Sequence, residues 1–145
     1  MKVYLDVCCL CRPFDDQTNG RIRREATAIH EIIRRCVIHE FSLVSSEAVT
    51  EEISRIPDIA KRLRVERIVS GAEEFVKVDE GIISRMDTLV ADGCDTMDSL
   101  HIACAERAGA ILLTTDDGLI TFFKSHQNIQ VIVKNPVPWL QERIQ

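Results

Sequence analysis

Several familiar signals are missing from this sequence of 145 residues, and each absence narrows what it can do. No apolar run approaches the roughly 20 residues needed to span a bilayer. A carboxylate stands at Asp6, too early for a secretory leader, so a cytoplasmic location without membrane attachment is expected. No Gly-x-x-x-x-Gly-Lys occurs, which excludes that kind of nucleotide-phosphate loop. Zinc-ligand spacing is missing too. Cys8, Cys9 and Cys11 crowd one turn, Cys36 and Cys104 lie in apolar helix-patterned segments, and the histidines at 30, 39, 101 and 126 supply no second pair. Reduced thiols are the expectation. An excess of basic charge is also lacking. With 23 acids against 18 bases the formal charge is −5, a poor match to a domain held on nucleic acid by broad electrostatics. Acids gathered round a metal can nevertheless make a nuclease formally acidic.

What is present is an ordinary globular mixture, 46% hydrophobic and 28% charged, with alternating strand and helix signals. Residues 2–5 read as a short strand, Val3, Tyr4 and Leu5 being apolar and β-favouring. Residues 12–20 read as loop, punctuated by Pro13, Asp15, Asp16, Asn19 and Gly20. From Arg21 to about His39, Ile22, Ala26, Ile29, Ile33 and Val37 recur at three or four residues and predict an amphipathic helix. Residues 41–44 form a second strand, after which Ser45 or Ser46 caps a helix carrying Ala48, Val49, Glu52 and Ile53. Pro57 and Asp58 interrupt it before a further helical segment to about Ser70. Residues 75–78 are a third strand, and residues 82–90 a helix that Gly93 ends.

Asp95 looks like the N-cap of the next helix, with Asp98 three residues on and Gly109 closing it. Residues 111–113 are almost wholly apolar, the mark of a buried central strand. Residues 129–133 are the last strand, ahead of Pro136 and Pro138. No repeat, low-complexity tract or linker divides the chain. The expectation is one α/β domain over residues 1–145, with a parallel sheet covered by helices on both faces.

Ligands of such sheets collect at the carboxyl ends of the strands. Asp6 stands directly after the first strand, and Asp116 just after residues 111–113 and Thr114-Thr115. Asp98 falls in the first turn of the helix preceding that later strand, and Glu52 early in the helix after residues 41–44. Hard divalent cations take carboxylate oxygens, and such ions activate water for phosphodiester hydrolysis. Each acid alone has a bland reading: Asp6, Asp116 and Asp117 as turn residues, Glu52 as a solvated helix residue like Glu51, and Asp98 as a first-turn carboxylate favoured by the helix dipole. The combination points to a metal site.

At these residues the chain resembles the PIN-domain family, including the VapC-like toxin ribonucleases. The resemblance covers nearly the whole length. It rests on Val3-Tyr4-Leu5-Asp6, on residues 46–53, on Asp98-Ser99-Leu100-His101-Ile102-Ala103, and on Leu113-Thr114-Thr115-Asp116-Asp117. It implies a three-layer α/β/α fold with a mostly parallel sheet of about five strands. It also implies Mg²⁺- or Mn²⁺-dependent endoribonuclease activity, frequent homodimers and, for a toxin, an antitoxin partner. By the same resemblance Asp6, Glu52 and Asp98 match the near-constant acids and Asp116 the more variable fourth. Asp6, Asp98 and Asp116 would hold the metal, while Glu52 would be a ligand or orient the water. Glu52 is preferred over Glu51 because it lies six residues after Ser46, the family's usual offset.

Arg12, Arg21, Arg23 and Thr114, with Arg24 nearby, are the candidate RNA contacts, against a reading of the arginines as a solvated helix start. One departure stands out: the family carries a hydroxyl or amide just after the first acid, and here Val7, Cys8 and Cys9 follow. The alternative reading is therefore a degenerate domain that binds RNA or a protein without cleaving. Haloacid-dehalogenase-type phosphatases need Asp-x-Asp where position 8 is Cys, and receiver domains need a central phospho-accepting Asp that the 75–78 strand does not pattern.

Overall fold

Val3, Tyr4 and Leu5 are each at most 1% exposed, and that burial puts their strand in the middle of the sheet. In this computed structural model, which describes residues 1–144, β1 (Lys2–Leu5) lies between β2 (Ser42–Ser46) and β4 (Ile111–Leu113). Beyond them lie β3 (Glu74–Val76) and β5 (Val133–Lys134), giving the all-parallel order β3-β2-β1-β4-β5. Tyr4 faces Val44 on one side and Leu112 on the other, and Leu5 faces Leu113. The expected parallel sheet of about five strands is what the chain forms.

After β1 the chain turns straight into α1 (Val7–Cys11), then a 3-10 turn (Arg12–Phe14), then α2 (Gly20–Val37). α1 has no counterpart in the sequence reading. Val7-Cys8-Cys9-Leu10-Cys11 offers little intrinsic helix propensity. Burial of Val7, Cys9, Leu10 and Cys11 and a cap from Asp6 make it helical. α2 starts where expected, capped by Asn19, which accepts the Ile22 N–H at 3.1 Å. Its buried stripe is Ala26, Ile29 and Ile32, whereas Ile33 sits at the edge and Val37 is 70% exposed. The helix is therefore rotated by about one residue from the predicted face.

Ser46, not Ser45, caps α3 (Glu47–Ile53), and Asp58 caps α4 (Ile59–Val69). α5 (Glu80–Ala91) and α6 (Thr96–Ala108) pack on each other, and α6 lies across β2, β3 and β4. Gly109 ends α6 at φ 68°, the left-handed geometry that favours glycine. α7 (Asp117–Ser125) follows β4, and α8 (Pro136–Arg143) follows β5. The last strand lies later than the expected 129–133: Ile129 is buried as loop, and only Val133 and Lys134 reach the ladder. Pro136 is the first residue of α8, so it starts a helix rather than ending the fold. Right-handed crossovers in this strand order place α2 on one face of the sheet and α5–α6 on the other. No helix of the described residues is long and apolar enough to cross a membrane.

One buried charge ties the first face together. Glu25 of α2 is 1% exposed. It accepts from Arg12 Nε (2.9 Å), Arg21 Nε (3.2 Å) and Asn135 Nδ2 (2.7 Å), linking the 3-10 turn, α2 and the cap of α8. Removing it would leave the Asn135 amide without its partner and each guanidinium with one carboxylate fewer, Arg12 keeping Asp15 and Arg21 keeping Asp117. Glu25→Ala is expected to cost about 2–3 kcal/mol in urea unfolding, less than a fully sealed pair because both arginines still reach water. A loss below about 0.5 kcal/mol would show that the network contributes little.

Candidate functional site

The strand order creates a specific place for ligands. The chain leaves β1 toward β2 and later returns to the other side of β1 as β4, so the switch point lies between β1 and β4. Asp6 follows β1 and Asp116 lies three residues beyond β4, which brings both acids to this crevice. The Asp6 N–H donates to the Leu113 carbonyl at 3.2 Å, continuing the ladder by one bond. Asp6 is 5% exposed and caps α1, with Oδ1 accepting the Cys9 N–H at 3.2 Å. Its Oδ2 accepts the Thr114 hydroxyl at 2.5 Å. Thr114 is fully buried and also accepts the Asp116 N–H at 3.1 Å. This hydroxyl thus holds the Asp6 carboxyl and the backbone of Asp116 together rather than facing a substrate.

Asp116 caps α7, accepting from Gly118 N at 2.8 Å and Leu119 N at 3.3 Å. A Cβ at Gly118 would lie 3.1 Å from Asp116 Oδ1, so a larger residue there would make this carboxylate shift by a few tenths of an ångström. Asp95 caps α6 and accepts the N–H groups of Met97 and Asp98, so the Asp98 side chain is left free of the cap. Asp98 and Asp116 line one cleft of about 410 Å³ with Cys94, Asp95 and Phe122.

The electrostatics show that these acids sense each other. Burial first, then Asp116, Asp95 and Asp6, push the Asp98 carboxyl up to about 7. Burial and the neighbouring Cys8 push Asp6 up as well, while His101 and the Thr114 hydroxyl pull it down. Among the described residues no lysine or arginine pairs with Asp6, Glu52, Asp98 or Asp116. A cleft of hard oxygen donors without a protein counter-ion fits a divalent cation. The four carboxylates are not drawn to contact distance. The one group of metal-capable side chains within 4.8 Å of one another, among the described residues, is Asp6, Cys8 and Cys9.

Glu52 is held apart by a hydrogen-bonded chain that sequence reasoning missed. Its Oε1 lies 2.6 Å from His101 Nε2, His101 Nδ1 lies 2.7 Å from the Tyr4 hydroxyl, and that hydroxyl lies 2.6 Å from Ser46 Oγ. Ser46 Oγ accepts the Val49 N–H, so the whole chain is satisfied if Nε2–H is donated to Glu52 and Nδ1 accepts from Tyr4. His101 is 1% exposed, and its role is to fix Glu52. The signal was in the sequence: Asp98 and His101 are three apart on one helix and share a face. Glu51 instead pairs with Arg55 at 2.9 Å in solvent, which separates the two glutamates.

The expected basic contacts are placed differently from one another. Arg12 is engaged by Glu25 and by Asp15 at 3.0 Å. Arg21 bridges Glu25, Asp117 at 2.8 Å and the Thr115 carbonyl at 3.0 Å, at the rim beside Asp116. Arg23 and Arg24 are exposed and line a groove between α2 and α8 with Ala28, Val137 and Leu140. The structure therefore brings Asp6, Asp98, Asp116 and Thr114 into one neighbourhood, with Glu52 tethered through His101, but does not gather the arginines.

With this geometry in place, comparison with known proteins decides the family. The PIN domain description matches residues 3–122. The chain belongs to the PIN-domain family. Three solved structures share the fold of this PIN domain. FitAcB from Neisseria gonorrhoeae matches with a TM-score of 0.63 at 18% identity, covering 94% of this chain and 98% of that one. VapBC2 from Rickettsia felis, bound to a DNA fragment from its promoter, matches at 0.59 and 15%, covering 93% and 98%. PAE2754 from Pyrobaculum aerophilum matches at 0.57 and 15%, covering 99% and 89%. No curated protein matches the sequence.

The raised Asp98 carboxyl has a consequence for stability. Its folded value of about 7 lies above its ordinary 3.8, so the metal-free folded state holds a proton that the unfolded chain releases. The associated stabilisation is complete below pH about 4 and is lost as pH rises through about 7. Thermal unfolding in chelator should show Tm falling across that window, with a shallower fall in Asp98→Asn. Identical slopes in the two proteins would remove Asp98 as the source.

Proposed function

We propose that this PIN domain is a Mg²⁺- or Mn²⁺-dependent endoribonuclease and the toxin of a toxin–antitoxin pair. The observation that carries the reading is the convergence of Asp6, Asp98 and Asp116 at the sheet's switch point without a basic partner. When bound there, a divalent ion polarises a phosphate and lowers the pKa of an attacking water.

The protein's own groups supply the rest. The Thr114 hydroxyl and the Cys9 N–H hold Asp6 in one orientation, and the α7 N–H groups do the same for Asp116. His101 fixes one oxygen of Glu52, leaving the other to orient water in the cleft. Arg21 is the cation at the rim. Its pair with Asp117 is 47% and 71% exposed, a surface pair weak enough to exchange Asp117 for an RNA phosphate. The Thr114 hydroxyl also supports the catalytic reading against the degenerate one, because it gives Asp6 a hydroxyl donor although Val7 and Cys8 follow the acid.

A protein partner has a natural seat between α2 and α4, where Phe14, Ile33 and Ile68 lie beside Arg64 and Arg67. An acidic, apolar antitoxin segment suits those groups. Homodimer formation and a cytoplasmic location are proposed with the same reading.

The test is cleavage of a fluorescent single-stranded RNA in Mn²⁺ by the isolated protein. Asp6→Asn and Asp98→Asn should each lower the rate by about 100-fold or more, above the usual effect of losing a supporting residue. Cleavage undiminished in both variants would end the assignment. Absence of cleavage by the unaltered protein, with calorimetry showing no Mn²⁺ binding, would establish the binding-module alternative.

A further inference from the structure

Two side chains press equally on the central acid, the Thr114 hydroxyl and a sulfur. Cys8 Sγ lies against Asp6 Oδ1, 3.5 Å from the Thr114 hydroxyl, and receives the Thr115 N–H at 3.4 Å. It is partly buried, whereas Cys9 is fully buried and spends its thiol on the Leu113 carbonyl at 3.3 Å. Asp6, Cys8 and Cys9 are the only group of three or more metal-capable side chains within 4.8 Å of one another among the described residues. Thr115, whose N–H orients Cys8, also keeps a buried hydroxyl without a hydrogen-bond partner. A hydroxyl or amide at this place would offer a metal only weak oxygen chemistry. A thiol offers a soft, anionic donor.

We propose that Cys8 is a ligand of the metal centre, so that Asp6 and Cys8 form a mixed oxygen–sulfur pair that prefers thiophilic divalent ions such as Zn²⁺, Cd²⁺ and Co²⁺ to Mg²⁺. The inference rests on the metal-site reading of the acids and concerns which divalent ion the site binds most tightly, as distinct from the ion that supports cleavage. Binding breaks the Cys8 S–H bond, forms a sulfur–metal bond and releases the proton to solvent; no electrons change hands. Cys9 is excluded as the donor because its sulfur is fully buried and bonded to the Leu113 carbonyl. Cys94 lines the same cleft beside Asp98 and serves as the control.

The test is a titration of the chelator-treated protein with Co²⁺, followed by near-ultraviolet thiolate-to-cobalt absorption and, in parallel, by calorimetry with Cd²⁺ and Mn²⁺. The unaltered protein and Cys94→Ala should show the charge-transfer band. Cys8→Ser should lose it while still binding Co²⁺, and should bind Cd²⁺ about 10-fold or more weakly with Mn²⁺ affinity changed less than about threefold. Circular dichroism checks that Cys8→Ser is folded, with Cys8→Ala as the second variant. Co²⁺ binding without the band in the unaltered protein, or a band lost in Cys94→Ala and kept in Cys8→Ser, overturns the role of Cys8 and leaves the carboxylate site standing. Failure of the unaltered protein to bind Co²⁺, Cd²⁺ and Mn²⁺ at all overturns both.

Discussion

The pairing of β1 with β4 is the constraint on which the rest of the molecule depends. Its register sets Leu5 opposite Leu113, and the next bond, from the Asp6 N–H to the Leu113 carbonyl, brings Asp6 beside Thr114. A slip of one residue would turn Asp6 to the opposite face and break the hydroxyl contact. The sheet resists that slip because Val3, Tyr4, Leu5, Leu112 and Leu113 are all at most 1% exposed. Apolar burial thereby fixes the position of a carboxylate that, in isolation, would favour water. Asp6 and Asp98 are held in a neighbourhood that disfavours their charged forms, a cost carried by the core that a bound cation would offset.

Charge placement shows where the acidic excess is engaged and where it is left open. The excess of five negative charges is unevenly engaged: Asp15, Glu25 and Asp117 take up Arg12 and Arg21, whereas Asp98 and Asp116 face the cleft unpaired by any base. The acids of the cleft need a counter-charge that the chain does not provide. His101 contributes by location more than by charge, since its ring joins Tyr4 and Glu52 across 97 and 49 residues of sequence.

Much of this was legible before any coordinates. Asp95, Asp98 and Gly109 marked the start and end of α6 because capping chemistry is local. The apolar run at 111–113 marked a central strand, and two acids after strands marked the ligand end of the sheet. What escaped depends on contacts distant in sequence. α1 is helical only because its cysteines, valine and leucine are buried, and the α2 face turned by one residue to put Ile32 inward. α7 and α8 were overlooked although Asp116 and Asn135 cap them, because Asp116 was read as a turn or site residue and Pro136 and Pro138 as the stop after the last strand. Thr114 was placed near the substrate on position alone, and only the β1–β4 pairing shows its hydroxyl directed at Asp6. The arginines were assigned by proximity along the chain, which carries no information about the carboxylates that meet Arg12 and Arg21 in space.

The central claim is that separated acids form one cation-binding crevice between β1 and β4. Anomalous diffraction from a crystal soaked in Mn²⁺ tests it most directly. The account predicts a strong peak between Asp6, Asp98 and Asp116, with carboxylate oxygens about 2.0–2.6 Å away, the range of hard divalent ions. A saturating soak that leaves this crevice empty, with ordered carboxylates and manganese bound elsewhere, would contradict it.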